Sequence, residues 1–313
     1  MHHPSDPSSG LARRQGPAGR PGPTEPSGPP GRFGALGRLT LLGLLLLAGC
    51  RGDPAAAPFV DLADADFEVG VTPLPLRVEV LASHPHDPSA FTQGLIDYGG
   101  KLYESTGLNG RSSLRRVDIE TGAVELQVPV DEAYFAEGLE RVDQRLIQLT
   151  WQSGKAFVYD LDSFELLAEL DYATEGWGLC LAEAAGHLVM SDGSDQLYFR
   201  DPETFAELGR VAVTRAGQPQ TMLNELECVG QVVYANVWQT DEIVVIDPDT
   251  GAIGAVIDTA APGSDPLLTP EERASADVLN GIVWLEDADR FLITGKLWPR
   301  LFEVGFQPAE PGG

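Results

Sequence analysis

Glu137, Lys296 and Asn224 have side chains suited to proton transfer and charge stabilisation. A positioned carboxylate accepts a proton and returns it. An ammonium and a carboxamide donate to an oxygen that turns negative during reaction. Trp151, Trp177 and Trp238 can shield such groups from water, which drives a carboxylate's pKa upward. Spacing links these residues. Trp151 and Trp238 lie 14 residues after Glu137 and Asn224 respectively, and Lys296 lies 16 after Asn280. The equal spacing predicts matching points of two structural repeats for the tryptophans, on second strands, with Lys296 on the second strand of another repeat. Lysine is scarce, at positions 101, 155 and 296 only. Each of these residues also has a purely structural reading: a glutamate or asparagine tying down backbone, tryptophans packing between sheets, a solvated strand lysine.

The positioning elements are visible as a repeat. One short phrase recurs as FTQGL (91–95), FAEGL (135–139), GWGLC (176–180), LNELE (223–227) and LNGIV (279–283). Its matching positions 94, 138, 178, 225 and 281 are 44, 40, 47 and 56 residues apart. Repeats of this size mark arrays of small supersecondary units. A second phrase recurs as VDIETG, YDLDSF, RDPETF and IDPDTG, ending at 122, 164, 205 and 251. An Asp that opens and a Thr-Gly or Ser-Phe that closes such a segment predict tight turns. Between the turns run short alternating strands, as in VVYANVW (232–238), whose side chains must point to opposite faces. Units of this kind read as propeller blades. The expected fold is all-β: a five-bladed β-propeller of four-stranded antiparallel blades. The last unit is one strand short, so the N-terminal run 76–82 is expected to join the last blade and close the ring, removing two open edges. Thr269, Pro270 and Glu272 form a capping-box pattern for one short helix. In a propeller the repeat phrases gather at one mouth of the axis. That brings together Gln93, Glu137, Glu175, Asn224, Glu225, Glu227 and Asn280.

The chain divides by composition. Residues 1–49 are read as a disordered leader plus a signal peptide. Arg32 and Arg38 precede an apolar run, 39–48, too short to span a bilayer. It ends Leu47-Ala48-Gly49-Cys50, which resembles a bacterial lipobox and predicts cleavage before Cys50 with a lipid anchor on its sulfur. Residues 50–75 read as a tether, 76–306 as the propeller and 307–313 as a tail. Residues 1–49 hold five arginines and two acidic residues, so their loss changes the formal charge from −26 to −29. A body this acidic repels phosphate backbones, which argues against nucleic acid. Cys180 and Cys228 remain. Two thiols in an oxidising compartment suggest one disulfide, with free thiols the alternative. His84-Pro85-His86 is too sparse a set for a metal site.

Several longer phrases carry a specific resemblance: HDPSAFTQGL (86–95), YESTGLNGRSSLRRVDIETG (103–122), EGWGLC (175–180), LNELECVGQVVYANVWQTD (223–241) and ITGKLWPRLFEV (293–304). Together with FAEGL they resemble the plant-type glutaminyl cyclases over roughly residues 77–305. The resemblance implies cyclisation of the N-terminal Gln of peptides or proteins to pyroglutamate, with release of ammonia and no cofactor. It implies catalytic residues Glu137, Lys296 and Asn224, and substrate-binding residues Phe91, Gln93, Phe135, Trp151, Trp177 and Trp238. Cys180 and Cys228 fall on adjacent blades in the matching phrases, consistent with a disulfide. In this reading Glu137 takes the α-amine proton, Lys296 and Asn224 face the oxyanion, and the aromatic residues hold the side chain folded back on the amine. The expected product of the gene is an exported, monomeric protein, held to the membrane of the cell envelope by its lipid. Two other functions are open to the sequence. One is a metal-dependent hydrolase of the propeller lactonase type, with Glu137, Asn224 and Asn280 on calcium. The other is a non-catalytic interaction propeller.

Overall fold

The computed structural model describes residues 59–309. The leader, the signal peptide and Cys50 lie outside the described residues. The described chain is all-β, with several four-stranded antiparallel sheets in a propeller-like arrangement. Strand β1 (Leu74–Pro85) comes first. The first four-stranded sheet follows: β2 (Thr92–Tyr98), β3 (Lys101–Thr106), β4 (Ser113–Val117) and β5 (Val124–Pro129). The second holds β6 (Ala136–Val142), β7 (Arg145–Thr150), β8 (Lys155–Asp160) and β9 (Leu166–Asp171). The third holds β10 (Leu179–Ala182), β11 (His187–Ser191), β12 (Gln196–Arg200) and β13 (Glu207–Ala212). A small hairpin of β14 (Thr214–Arg215) and β15 (Gln218–Pro219) precedes the next group.

That group is β16 (Leu223–Val229), β17 (Val232–Val237), β18 (Glu242–Ile246) and β19 (Ile253–Asp258). Helix α1 (Pro270–Arg273) and β20 (Leu279–Leu285), β21 (Arg290–Gly295) and β22 (Arg300–Pro308) complete the chain. β1 lies antiparallel against β22, and parallel against β19 over Leu74–Arg77. It thereby joins two groups into one eight-stranded sheet. The first strands touch in cyclic order: β2 meets β6, β6 meets β10, β10 meets β16, β16 meets β20, and β20 returns to β2.

Apolar residues fill the spaces between neighbouring sheets. β17 shows how. Val232 and Tyr234 pack toward Ile282, Phe291 and Phe306, while Val233, Ala235 and Val237 pack toward Cys180, Val189 and Leu197. Two-residue periodicity therefore serves two apolar interfaces, which is why the central strands read as nearly continuous apolar runs. Each large apolar side chain fully buried in this way contributes about 1.5–3 kcal/mol.

The Asp-opened phrases form the predicted turns between third and fourth strands. Asp118 Oδ1 accepts from Thr121 N and Oγ1, Asp160 and Asp201 repeat this with Ser163 and Thr204, and Asp247 accepts from Thr250 N and Oγ1 through its two separate oxygens. The capping box is present: Glu272 N donates to Thr269 Oγ1 (3.2 Å) and Thr269 N to Glu272 Oε2 (2.9 Å). The helix it starts is four residues long.

Cys180 and Cys228 form a disulfide between β10 and β16, with Cα atoms 5.5 Å apart. Residues 59–67, within the stretch read as a tether, lie against the sheets. Leu62 is buried in the core, Val60 N donates to Phe306 O, and Phe67 rests on Gly254. β22 runs to Pro308, inside the stretch read as a tail.

Candidate active site

The repeat phrases build a site because four of the first strands, β2, β6, β16 and β20, carry a bulge there. Between Thr92 and Gly94, Ala136 and Leu139, Leu223 and Leu226, and Leu279 and Ile282, the pairing with the second strand slips by one residue. A bulge leaves a residue unpaired and re-aims its side chain. The residues inside these four slips include Gln93, Glu137, Asn224 and Asn280. The phrase glycines answer a separate demand, close approach between sheets at the axis. A Cβ on Gly94 would lie 2.5 Å from Leu139 N, one on Gly138 2.6 Å from Trp177 O, and one on Gly178 would collide with Asn224 O. The fourth repeat has Glu225 instead. Its carboxylate crosses to the next sheet and accepts from Ile282 N at 2.8 Å.

The predicted residues of the first, second and fifth repeats meet here. Gln93 Nε2 donates to Glu137 Oε1 (3.0 Å). Asn280 Nδ2 donates to Gln93 Oε1 (3.3 Å) and Thr92 O (3.0 Å), which fixes the Gln93 amide with its NH₂ toward Glu137. Lys296 Nζ stands 5.1 Å from the centroid of the Phe91 ring, a cation–π contact. Glu137 and Lys296 are only 5% and 4% exposed. Burial pushes the Glu137 carboxyl well above the usual carboxylate range; the Lys296 charge opposes this and the Glu175 charge adds to it. Burial also pulls the Lys296 ammonium below its usual value, against the charges of Glu137 and Asp277. Asn224 occupies the corresponding bulge of β16. It is buried, and its Oδ1 has no hydrogen-bond partner among the described residues.

Trp151, Trp238 and Lys296 each follow directly on the last residue of a second strand, β7, β17 and β21, rather than lying within it. The 16-residue interval to Lys296 reflects the 3₁₀ turn Glu286–Ala288 between β20 and β21. Edge-on ring contacts run from Phe91 to Phe135 (6.0 Å) and from Phe135 to Trp151 (5.7 Å). Trp177 and Trp238 form a separate perpendicular pair at 5.4 Å. Gly107 is the first-repeat counterpart of Trp151, and a Cβ there would overlap the Phe135 ring.

The segment carrying Lys296 is tied to the segment carrying Phe91 and Gln93. Leu297 N donates to Ala90 O (2.7 Å) and His86 N to Pro299 O (2.9 Å). His86 Nδ1 faces Trp298 O (2.8 Å) and Nε2 faces Glu104 Oε1 (2.9 Å), which also accepts from Thr92 Oγ1 (2.8 Å). A carbonyl and a carboxylate both require donors, so the imidazole is cationic here. Burial alone would lower its pKa, but the Glu104 charge and hydrogen bond outweigh it and raise it. His84 bonds Glu303 instead (2.8 Å), so the two histidines of the His-Pro-His run have separate carboxylate partners.

This arrangement can hold an amine beside a carboxylate and an amide beside an ammonium, in a setting dried by aromatic rings. The sequence pattern described as Glutamine cyclotransferase matches residues 56–306. The chain belongs to the glutamine cyclotransferase family. It is 42% identical over 236 residues to a glutaminyl-peptide cyclotransferase of Arabidopsis thaliana, covering 75% of this chain and 72% of the relative. The crystal structure of Myxococcus xanthus glutaminyl cyclase matches with a TM-score of 0.67 at 38% identity, covering 76% of this chain and all of the other.

In this glutamine cyclotransferase three residues near the site stand outside the set predicted for it. Asn280 and Glu175 are visible as polar members of the repeat phrase, yet nothing in the phrase ranks them. Met222 precedes Asn224 by two residues, as Phe91 and Phe135 precede Gln93 and Glu137. Trp238 N donates to Met222 O, just as Trp151 N donates to Phe135 O and Gly107 N to Phe91 O. Met222 is thus the fourth-repeat counterpart of the two phenylalanines, 41% exposed at the rim. Aligning the repeats one position further would have found it. A cavity of about 610 Å³ lies at the other ends of the first strands, among Asp97, Glu140, Glu183, Glu227 and Asp287, so Glu227 lies away from the mouth where the repeat had placed it. It shares no residue with the site.

Proposed function

We propose that the chain is a glutaminyl-peptide cyclotransferase whose reaction runs at the Glu137–Lys296 mouth of a five-bladed propeller closed by β1. The family membership carries the reaction class. The cyclic order of first-strand contacts and the pairing of β1 with β22 support the five-bladed reading. The observation that carries the assignment of residues is the meeting of a buried carboxylate and a buried ammonium inside an aromatic wall.

The substrate's α-amine has an ordinary pKa of about 7.7–8.0 and must be neutral to attack. Once the amine is neutral, its nitrogen bonds to the γ-carboxamide carbon while Glu137, with its proton affinity raised by burial, accepts one of the two amine protons, and the amide oxygen takes up negative charge. Lys296 donates to this oxygen. Asn224 can donate through Nδ2, while its unpartnered Oδ1 suits a substrate N–H. Collapse breaks the original C–N bond, and Glu137 returns its proton to the departing nitrogen, which leaves as ammonia. Phe91, Phe135, Trp151, Trp177 and Trp238 hold the side chain curled toward the amine, which lowers the entropic barrier to ring closure. Gln93, held by Asn280, keeps one Glu137 oxygen engaged and leaves the other for the substrate.

The lactonase alternative asks Glu137, Asn224 and Asn280 to ligate calcium. Here Glu137 faces an ammonium and an amide NH₂, and Asn280 uses its NH₂ on backbone and Gln93. These are donors turned toward the carboxylate, a poor set for a cation. For the cell, the proposal is an exported monomer anchored by a lipid on Cys50; acyl labelling that is lost in Cys50→Ala tests it.

Glu137→Gln tests the site. Its amide can still accept from Gln93, so melting should not shift downward. Release of ammonia from Gln-initiated dipeptides should fall by about 10²–10⁴. Undiminished turnover in the folded variant removes Glu137 from the reaction.

A further inference from the structure

The aromatic wall has a gap. Ring contacts join Phe91, Phe135 and Trp151 on one side and Trp177 with Trp238 on the other. What spans the gap is a carboxylate. Glu175 Oε2 accepts from Trp151 Nε1 (2.8 Å) and from Trp177 Nε1 (3.0 Å), while Oε1 accepts from Gln152 Nε2 (2.9 Å). One oxygen therefore sets the orientation of two indoles that come from different sheets.

The loop that carries Glu175 is itself fixed. Gly176 N donates to Trp151 O (2.9 Å) and Trp177 N to Ser191 O (3.0 Å). A Cβ on Gly176 would collide with the Tyr172 hydroxyl, so the chain passes Tyr172 closely at this point. The carboxylate stays anionic. Its partial burial opposes ionisation, but the two indoles and the Gln152 amide more than compensate, and its pKa lies below the usual value. It is near enough to Glu137 to add to that residue's proton affinity. The other charged or titratable groups facing Glu137 are the Lys296 ammonium and the Tyr172 phenol; Asp277 acts on Lys296.

The geometry points to Glu175 as a positioning residue of the site, which locks the two halves of the indole wall together and sets a fixed negative charge beside Glu137. The inference rests on the assignment of Glu137 as the base. It gives Glu175 two separable effects. Its hydrogen bonds shape the wall and so govern substrate binding. Its charge governs the pH at which Glu137 becomes able to accept a proton.

Three variants of the full chain separate these effects: Glu175→Gln, Glu175→Asp and Glu137→Gln. Each is assayed for kcat and KM across pH with one Gln-initiated dipeptide, so the substrate's own titration is common to all. Glu175→Gln removes the charge. Its acid limb in kcat/KM should move to lower pH, because the neighbour that favours protonated Glu137 is gone. KM should rise roughly tenfold from the weakened indole bonds. Glu175→Asp keeps the charge on a shorter arm, so its acid limb should stay where the parent's is while KM rises. Tryptophan fluorescence should shift in both. An unmoved acid limb in Glu175→Gln, or the same limb shift in both variants, overturns the inference. If Glu175→Gln fails to fold, Glu175→Asp decides: a displaced limb with the charge retained, or an unchanged KM, refutes it. If Glu137→Gln keeps its turnover and its acid limb, the base assignment fails instead, and the two failures are told apart.

Discussion

Lys296→Met removes one charge from the site and little volume. The ammonium is 4% exposed, and among the described residues it has no ion-pair partner within 4 Å. Burial holds its pKa below the free value. The sign for stability follows directly. A base whose folded pKa is depressed costs the folded state stability at every pH below that pKa, and the cost disappears as pH rises past the unfolded value near 10.4. At neutral pH a methionine therefore relieves a penalty, and its sulfur can rest on the Phe91 ring now covered by the ammonium. Melting temperature should stay level or rise. Activity should move the other way. Loss of one oxyanion donor costs about 2.7–4 kcal/mol, a fall of about 10²–10³ in kcat. KM should change far less, because the charge on the oxygen exists only near the transition state. The acid limb of the rate profile should shift upward, since the charge that restrains Glu137's proton affinity has gone. The assays are thermal melting and ammonia release from a Gln-initiated dipeptide across pH. A variant that keeps kcat within threefold refutes the role of Lys296. A variant that loses kcat while its acid limb shifts downward refutes the electrostatic pairing with Glu137.

Gly107→Ala should raise KM with a smaller effect on kcat, because the new Cβ displaces the Phe135 ring and not Glu137 or Lys296; unchanged kinetics would mean that Phe135 does not wall the substrate. Replacing both Cys180 and Cys228 by serine opens a cross-link of sequence separation 48. The chain-entropy relation gives a loss of about 4 kcal/mol, to be read from denaturant midpoints, with kcat retained in the folded protein.

The elements could be read from the sequence to different depths. The Asp-opened turns and the capping box depend on contacts within four residues, and both are present where the sequence places them. The eight-stranded connection through β1 is another matter. The strand missing from the last repeat pointed to a partner in 76–82, but nothing in the sequence announced the parallel pairing of β1 with β19 that joins two groups into one sheet. The packing of 59–67 was hidden for a similar reason. Phe59, Leu62 and Phe67 are scattered among Ala and Asp without a period, and only the receiving glycines at 254 and 305 reveal what they fill. At the site, the recurring phrase was enough to gather Gln93 with Glu137, whereas Phe91 beside Lys296 came only with the family resemblance. The spacing misplaced Trp151, Trp238 and Lys296 by a single step, from the second strand to the position just past it. Glu175 stayed unassigned because its worth lies in two indole N–H groups contributed by different sheets, a relation that no spacing encodes.

The bulges explain why a structural repeat and a reactive centre share the same letters. A regular first strand would alternate its side chains between the two interfaces with its neighbours, and both interfaces are apolar. No regular position offers a carboxylate or an amide a place at the axis. A slip of one residue breaks that alternation at a single point, and the extra residue takes neither face. Glycine beside it permits adjacent first strands to close in, so that residues from separate repeats come within hydrogen-bonding distance, as Gln93 and Glu137 do at 3.0 Å. The polar letter of each phrase is then free to differ from repeat to repeat: Gln in the first, Glu in the second, Asn in the fourth and fifth. The third repeat departs from this pattern. β10 starts only at Leu179, so its phrase lies ahead of the strand and supplies the loop that carries Glu175 and Trp177. Four bulges thus present polar groups toward the axis, and the repeat lacking one supplies the link between the indoles.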